Sequence, residues 1–331
     1  MSLKSLLHSA YRSIVALAAF GLMLALPASA FADSYPSRPV TIIVPFAAGG
    51  SADVYGRILA QRLTAQTGQS FIVEDRPGAG SIIGSEAAAT SAPDGYTLLI
   101  ISNTHTVNET LFPNKPFKLL SNFVPVAPIN TSELVLVTRP TLGIKTIPAL
   151  LALAKQKPNG LTFASSGPGT PYYMAGELLN QMGGVSILHV PFKGSSEARV
   201  DVMGGQVDMM FDATTTMLGL INSGKVTAIA TTGSTTSKVL PNLPTVAQTI
   251  PGYDAEIWLG VVAPKGTPAD IVAKLNADIT KVAQDPAVQA EWLKQGATPM
   301  IMTPTQFGQY IQTDIVKWAK VIKLAGLKIT K

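Results

Sequence analysis

Two glycine-rich stretches carry the groups best suited to gripping a small molecule. Pro45-Phe46-Ala47-Ala48-Gly49-Gly50-Ser51-Ala52-Asp53 follows the apolar run Val40 to Val44 and opens a helical pattern. Gly49 and Gly50 allow backbone N–H groups to come close to a ligand. The helix start adds partial positive charge, so the loop suits an anion. It serves equally as a plain tight turn in which Asp53 answers its own helix dipole. Ser165-Ser166-Gly167-Pro168-Gly169-Thr170-Pro171 has the same setting, after an apolar run and before a helix. Thr170 as N-cap and Pro171 at the first helical position fix that helix start. The free N–H groups of this loop, Gly169 within it, and the hydroxyls of Ser165, Ser166 and Thr170 suit an oxyanion. Two such loops facing each other would form a pincer for a carboxylate. Neither carries a fixed cation, which favours neutral donors and quick release over tight phosphate binding.

Fewer residues stand beside these loops. Thr104 and His105 lie just past the Tyr96 to Ile101 run. His105 either donates to a carboxylate or orders its own loop. Asp212 ends the Val207 to Phe211 run and either accepts from a ligand amino group or caps the next helix. Trp258 is expected in a hinge core rather than in the pocket wall. His189 reads as a core histidine.

Familiar catalytic patterns fail. Gly78-Ala79-Gly80-Ser81-Ile82-Ile83-Gly84 resembles a dinucleotide fingerprint, but its last glycine comes one residue late. Gly219 to Lys225 has P-loop spacing, but Val226 stands where Ser or Thr is required. Both are read as structural. There is no Gly-x-Ser-x-Gly elbow. The histidines are His8, His105 and His189, without the partners of a metal site. No catalytic residue, metal or cofactor is expected.

Strand-like and helix-like stretches alternate so as to hold both loops at strand ends. Phe71 to Val73 and Tyr96 to Ile101 join Val40 to Val44 in a first set, with helices near Ser51 to Gly68 and Ser81 to Ala89. Leu161 to Ala164, Ile187 to Val190, Val207 to Phe211 and Val226 to Ala230 form a second. Pro171 to Met182, Ser196 to Met203 and Thr214 to Asn222 are its helices. This rhythm implies mostly parallel sheets flanked by helices. Leu134 to Val137 and Ile257 to Val262 are the expected crossover strands. The resulting fold class is α/β with two lobes, the first from 33–136 and 258–331, the second from 137–257. Pro268 to Ala283, capped by Thr267, and Thr305 to Leu324 are helices of the C-terminal third. A cleft between such lobes is the usual place for a small ligand.

The N-terminal 1–32 reads as a signal peptide. Lys4 and Arg12 precede an apolar run from Ile14 to Leu26, and small residues offer cleavage near Ala30 or Ala32. Lys4 and Arg12 are its only charged residues, so the net charge falls from +5 to +3 on its removal. No basic cluster is present, which argues against nucleic acid. The absence of cysteine excludes disulfides, thiolate chemistry and a lipoprotein anchor.

At this point the residues resemble a known family. Tyr35-Pro36-Ser37-Arg38-Pro39-Val40, the 44–53 loop, Pro93-Asp94-Gly95-Tyr96-Thr97-Leu98, His189-Val190-Pro191-Phe192-Lys193-Gly194 and Ala263-Pro264-Lys265-Gly266-Thr267-Pro268 resemble the Bug family. These are substrate-binding proteins of tripartite tricarboxylate transporters. The likeness covers essentially the whole chain after the signal. It implies a two-lobed, flytrap-like periplasmic receptor, a monomer, feeding the permease subunits of such a transporter. Its ligand would be a dicarboxylate, tricarboxylate, amino acid or aromatic acid. It also implies that the loops matching Phe46 to Asp53 and Ser165 to Thr170 grip one carboxylate, while the far end of the pocket sets identity. There this chain departs: Tyr172-Tyr173 stand where many members have His, and Ala213 follows Asp212 where Asn is frequent. A sensory receptor for the same ligand, or a secreted hydrolase using Ser165 or Ser166 with His105, are the alternatives.

Overall fold

The computed structural model describes residues 35–327. The expected signal peptide, with its cleavage sites at Ala30 and Ala32, lies outside them. The first lobe begins β1 (Val40–Val44), α1 (Ser51–Thr67), β2 (Phe71–Asp75), α2 (Ile82–Ala89), β3 (Thr97–Ser102) and α3 (Asn103–Leu111). α4 (Leu119–Asn122) leads into the long β4 (Phe123–Thr138). The second lobe follows with α5 (Ile147–Gln156), β5 (Thr162–Ser165), α6 (Pro171–Gly183), β6 (Leu188–Pro191) and α7 (Ser195–Met203). β7 (Met209–Ala213), α8 (Thr214–Asn222), β8 (Thr227–Thr231) and α9 (Val246–Thr249) complete it. The chain returns through β9 (Glu256–Pro264), α10 (Ala269–Gln284), α11 (Pro286–Lys294), β10 (Ala297–Pro299) and α12 (Pro304–Ala325).

Local chemistry accounts for most boundaries. β1 is Val-Thr-Ile-Ile-Val, a β-branched run buried along nearly its whole length. α1 ends where Gly68 turns left-handed and its N–H bonds the Thr64 carbonyl. α6 starts at Pro171 with Thr170 as its cap. α12 opens with a reciprocal box between Thr303 and Gln306. One expected cap differs. Thr267 donates instead to the Pro264 carbonyl at 2.8 Å, so Pro268 is the cap residue and α10 begins one residue later.

The strand order is β2-β1-β3-β9-β4-β7-β5-β6, with β8 and β10 also paired to β4. β4 is the outward crossover. It pairs with β9 through Glu133 and with β7 from Leu134 onward. β9 pairs with β3 and β4, so the return is complete before it begins. The outer strands of each lobe, β2-β1-β3 and β7-β5-β6, are parallel. Those around β4 are antiparallel. The sheets are therefore more mixed than the βαβ rhythm implies, because the crossover and return strands run against their neighbours.

Each lobe has its own core. Ile43, Leu99, Phe123, Trp258 and Phe307 pack in the first. Val137, Ala164, Val202, Met210 and Met217 pack in the second. A third cluster joins Val107 and Leu111 of α3 to Met174 of α6 through Trp318 and Ile322 of α12. Fully burying one such side chain contributes about 1.5–3 kcal/mol. Among the described residues, no helix is long and apolar enough to cross a membrane.

Candidate functional site

The parallel strands of both lobes end at one cavity of about 590 Å³. Phe46, Ala47 and Gly50 line it from the first loop, and Ser166 and Thr170 from the second. The two stretches singled out in the sequence thus meet. Three further helix starts join them. Ser81 caps α2, Ser102 and Thr104 begin α3, and Gly194 and Ser195 begin α7, all on the cavity wall. Five helix N-termini converge on one space, each with backbone N–H groups that have no partner within the helix.

Two hydroxyls sharpen this picture. Ser81 Oγ and Thr104 Oγ1 belong to cavity-lining residues that are 2% and 0% exposed. Neither has a hydrogen-bond partner among the described residues. A buried polar group left so is costly unless something satisfies it. Ser81 lies in a run, Gly78 to Ser81, with φ of 137°, 47°, 62° and 78°. Ala79 and Ser81 hold a left-handed backbone there that non-glycine residues adopt at a cost. The sequence marked this run only as a failed fingerprint. Its position after β2, at the carboxyl end of a parallel strand, was the signal that could have found it.

The lobes are bridged around the cavity. Ser196 donates to the Ala48 carbonyl at 2.9 Å, and Arg199 to the Gly49 carbonyl at 2.7 Å. Ser51 and Tyr172 share a hydroxyl contact of 3.1 Å. Gly49 takes φ of 76°, and an added Cβ would stand 3.0 Å from Ser196 Oγ, so this corner needs glycine twice over.

Several expected residues lie behind the wall rather than on it. His105 is 1% exposed. Its Nδ1 accepts from the Ser102 N–H at 3.1 Å, so Nε2 carries the proton toward Ser85 Oγ, 3.0 Å away. Burial pushes its pKa down to about 3. His105 orders the α3 start and is unavailable as a base to Ser165 or Ser166. Ser165 is fully buried, bonding Gly167 and His189 Nε2, the latter at 2.7 Å. His189 packs against Phe163 and Tyr173, and burial lowers its pKa to about 4. Gly169 faces Asn108 of α3. Asp53 accepts from the Gly49 N–H at 2.7 Å and pairs with Arg57. Asp212 is wholly buried, accepts from the Ala213 N–H at 2.8 Å, and stands 3.4 Å from Arg199. Burial raises its pKa to about 6, against the opposing pull of Arg199.

Trp258 sits in the first-lobe core, donating to Asp314 at 3.1 Å. Its neighbours Ile257 and Leu259 line the cavity instead, because successive strand residues face opposite sides. Tyr172, Phe192 and Lys193 also line it. Among the described residues, no group of three or more His, Cys, Asp or Glu could hold a metal ion.

Comparison with known proteins agrees with this geometry. The profile of the TctC family, tripartite tricarboxylate transporter family receptor, matches residues 55–327. Protein BugT of Bordetella pertussis is 40% identical over 319 residues, spanning 95% of this chain and 98% of that one. The fold superposes on an R. palustris protein solved with adipate at a TM-score of 0.87, with 31% identity, 89% of this chain and 99% of that one. MatC from Rhodopseudomonas palustris with bound malate gives 0.81 at 31% identity, covering 87% of this chain and 100% of that one. Two lobes, a ligand-sized cavity between them and these matches along the chain lead to one statement: the protein belongs to the tripartite tricarboxylate transporter receptor family, the Bug group of periplasmic solute-binding proteins.

Proposed function

We propose that this chain captures a small organic carboxylate between its lobes and presents it to the permease subunits of a tripartite tricarboxylate-type transporter. One observation carries the reading: five helix starts line a single cavity, Ser81 and Thr104 in its wall have buried hydroxyls with no partner among the described residues, and Ser196 and Arg199 bridge the lobes at one corner of it. Such a lining offers backbone N–H donors at helix starts together with hydroxyls, which suits an oxyanion. The solved relatives with adipate and malate support the same ligand class.

In this reading Phe46, Ala47, Gly50, Thr104, Ser166 and Thr170 contact the ligand, together with Ser81. Gly49, Asp53, His105, Ser165, Gly169 and Asp212 hold those groups in place from behind. The lobes, 33–136 with 258–331 against 137–257, close on the ligand and open to release it. The protein acts as a monomer in the periplasm, after loss of its signal peptide, and by binding alone rather than by catalysis. Transport rather than sensing is favoured by the family.

Titration calorimetry and thermal melting against mono-, di- and tricarboxylates test the proposal. A true ligand raises the melting temperature with its concentration by mass action. Replacing Ser81 and Thr104 together by Ala is expected to weaken binding by about 1–3 kcal/mol. If no carboxylate shifts the melt, the carboxylate-receptor reading is wrong.

A further inference from the structure

The cavity wall is unusual in what it omits. Among the described residues that line it there is no Asp, Glu, His or Arg, and Lys193 is the sole charged side chain. The carboxylates that neighbour its loops are not among the lining residues: Asp75 pairs with Arg57, Glu256 accepts from Thr131, and Glu197 is exposed on α7. Asp53 serves the Gly49 N–H and Arg57. Asp212 is wholly buried beside Arg199 and the Ala213 N–H. Tyr172 is a phenol whose burial holds its pKa far above the ordinary value, so it remains neutral. The rest of the wall is largely apolar, with Pro45, Phe46, Phe192, Ile257 and Leu259 among its residues.

A ligand ammonium group placed here would leave water without a counter-ion. It would also face the positive ends of five helices. Burying a charge without a partner is strongly unfavourable, and like-signed dipole ends add to the cost. A carboxylate meets the opposite situation, since the helix starts and their free N–H groups donate, and the Ser81 and Thr104 hydroxyls can donate as well as accept. Apolar walls then reward a hydrocarbon or aromatic body. The cavity's volume falls within the range of roughly 300–1,000 Å³ typical of sites for drug-sized ligands.

Building on the carboxylate-receptor reading, we infer that the ligand is an organic acid with an apolar body and no ammonium group, so that α-amino acids are excluded. The distinction lies in the cavity's chemistry rather than its size, because an acid and its amino derivative differ by one small substituent.

Matched pairs test this directly on the purified protein by calorimetry at pH 7.5. The pairs are 3-phenylpropanoate with phenylalanine, hexanoate with norleucine, and adipate with 2-aminoadipate. 3-Phenylpropanamide and hexanamide serve as carboxylate-free controls. In at least one pair the amino-free acid is expected to bind tenfold or more tightly than its amino partner, and no amino acid to match its acid. An amino acid that binds as well as its partner overturns the inference while leaving a carboxylate receptor intact. Amides that bind as well as the acids overturn the receptor reading itself. A protein that binds no member of the panel overturns both.

Discussion

The loop between β1 and α1 and the loop between β5 and α6 occupy equivalent places in the two lobes but use their polar groups differently. In the first, Gly50 caps α1 without any side-chain hydrogen bond, so the opening N–H groups of the helix are left for the cavity. In the second, Thr170 accepts from the Tyr173 N–H and donates to the Gly167 carbonyl at 2.7 Å. Ser165 is tied to Gly167 and His189. The first loop offers backbone donors, while in the second the Ser165 and Thr170 hydroxyls are bonded within the protein, so that of its three hydroxyls Ser166 is the one left without a partner among the described residues at the cavity, where Thr170 also stands. Two stretches that look alike as sequence therefore divide into a donor surface and a rigid wall.

The largest test of that division is Arg199→Ala. Arg199 holds the first loop from the second lobe and is the cation beside buried Asp212. Removing one partner of a buried pair costs about 3–5 kcal/mol. The pKa of Asp212 is already raised to about 6. Its folded state therefore favours the protonated form, and stability from this group is lost as pH rises through about 6. The loss in R199A should be greatest near pH 8 and shrink toward pH 5, where Asp212 is protonated. Urea midpoints at both values check this. Adding Asp212→Asn should recover part of the loss at pH 8, and a pH-independent deficit would refute the pairing argument.

Next in size is Thr170→Ala, which removes the α6 cap. It should lower unfolding free energy by about 0.5–2 kcal/mol, with Thr170→Ser restoring most of it. Ser166→Ala has no protein partner to lose, so its melt should be unchanged. Its effect belongs in affinity, about 0.5–1.5 kcal/mol if the hydroxyl donates to the ligand. If T170A left stability unchanged while S166A lowered it, the contrast between wall and donor would be reversed. The smallest effect is expected of Lys193→Gln. Lys193 is exposed, and a solvated charge contributes about 0.2–1 kcal/mol, falling as salt is added. Calorimetry at low and high ionic strength reads it.

How much was legible follows the range of the forces involved. Thr170 with Pro171, Gly68 after α1 and the β-branched run of β1 announce themselves through chemistry among a few residues. The α3 start did not. Asn103 to Thr106 reads as a loop, yet His105 and Ser102 form a capping box there. A histidine in that role is rare enough that the pattern passes unnoticed. Ile257 and Leu259 are on the cavity side and Trp258 is not, a choice made by the register of β9 against β3 and β4.

The amino-acid sequence by itself determined most of the alternating strands and helices, the glycine-bearing helix starts and the family, because these arise from neighbours along the chain. Only the tertiary structure decided which of those starts share a cavity. It also buried His105 and Asp212 behind the wall and brought Ser81 onto it. Those outcomes depend on which faces are turned inward when two separate lobes pack, and that is set by contacts between residues far apart in the chain.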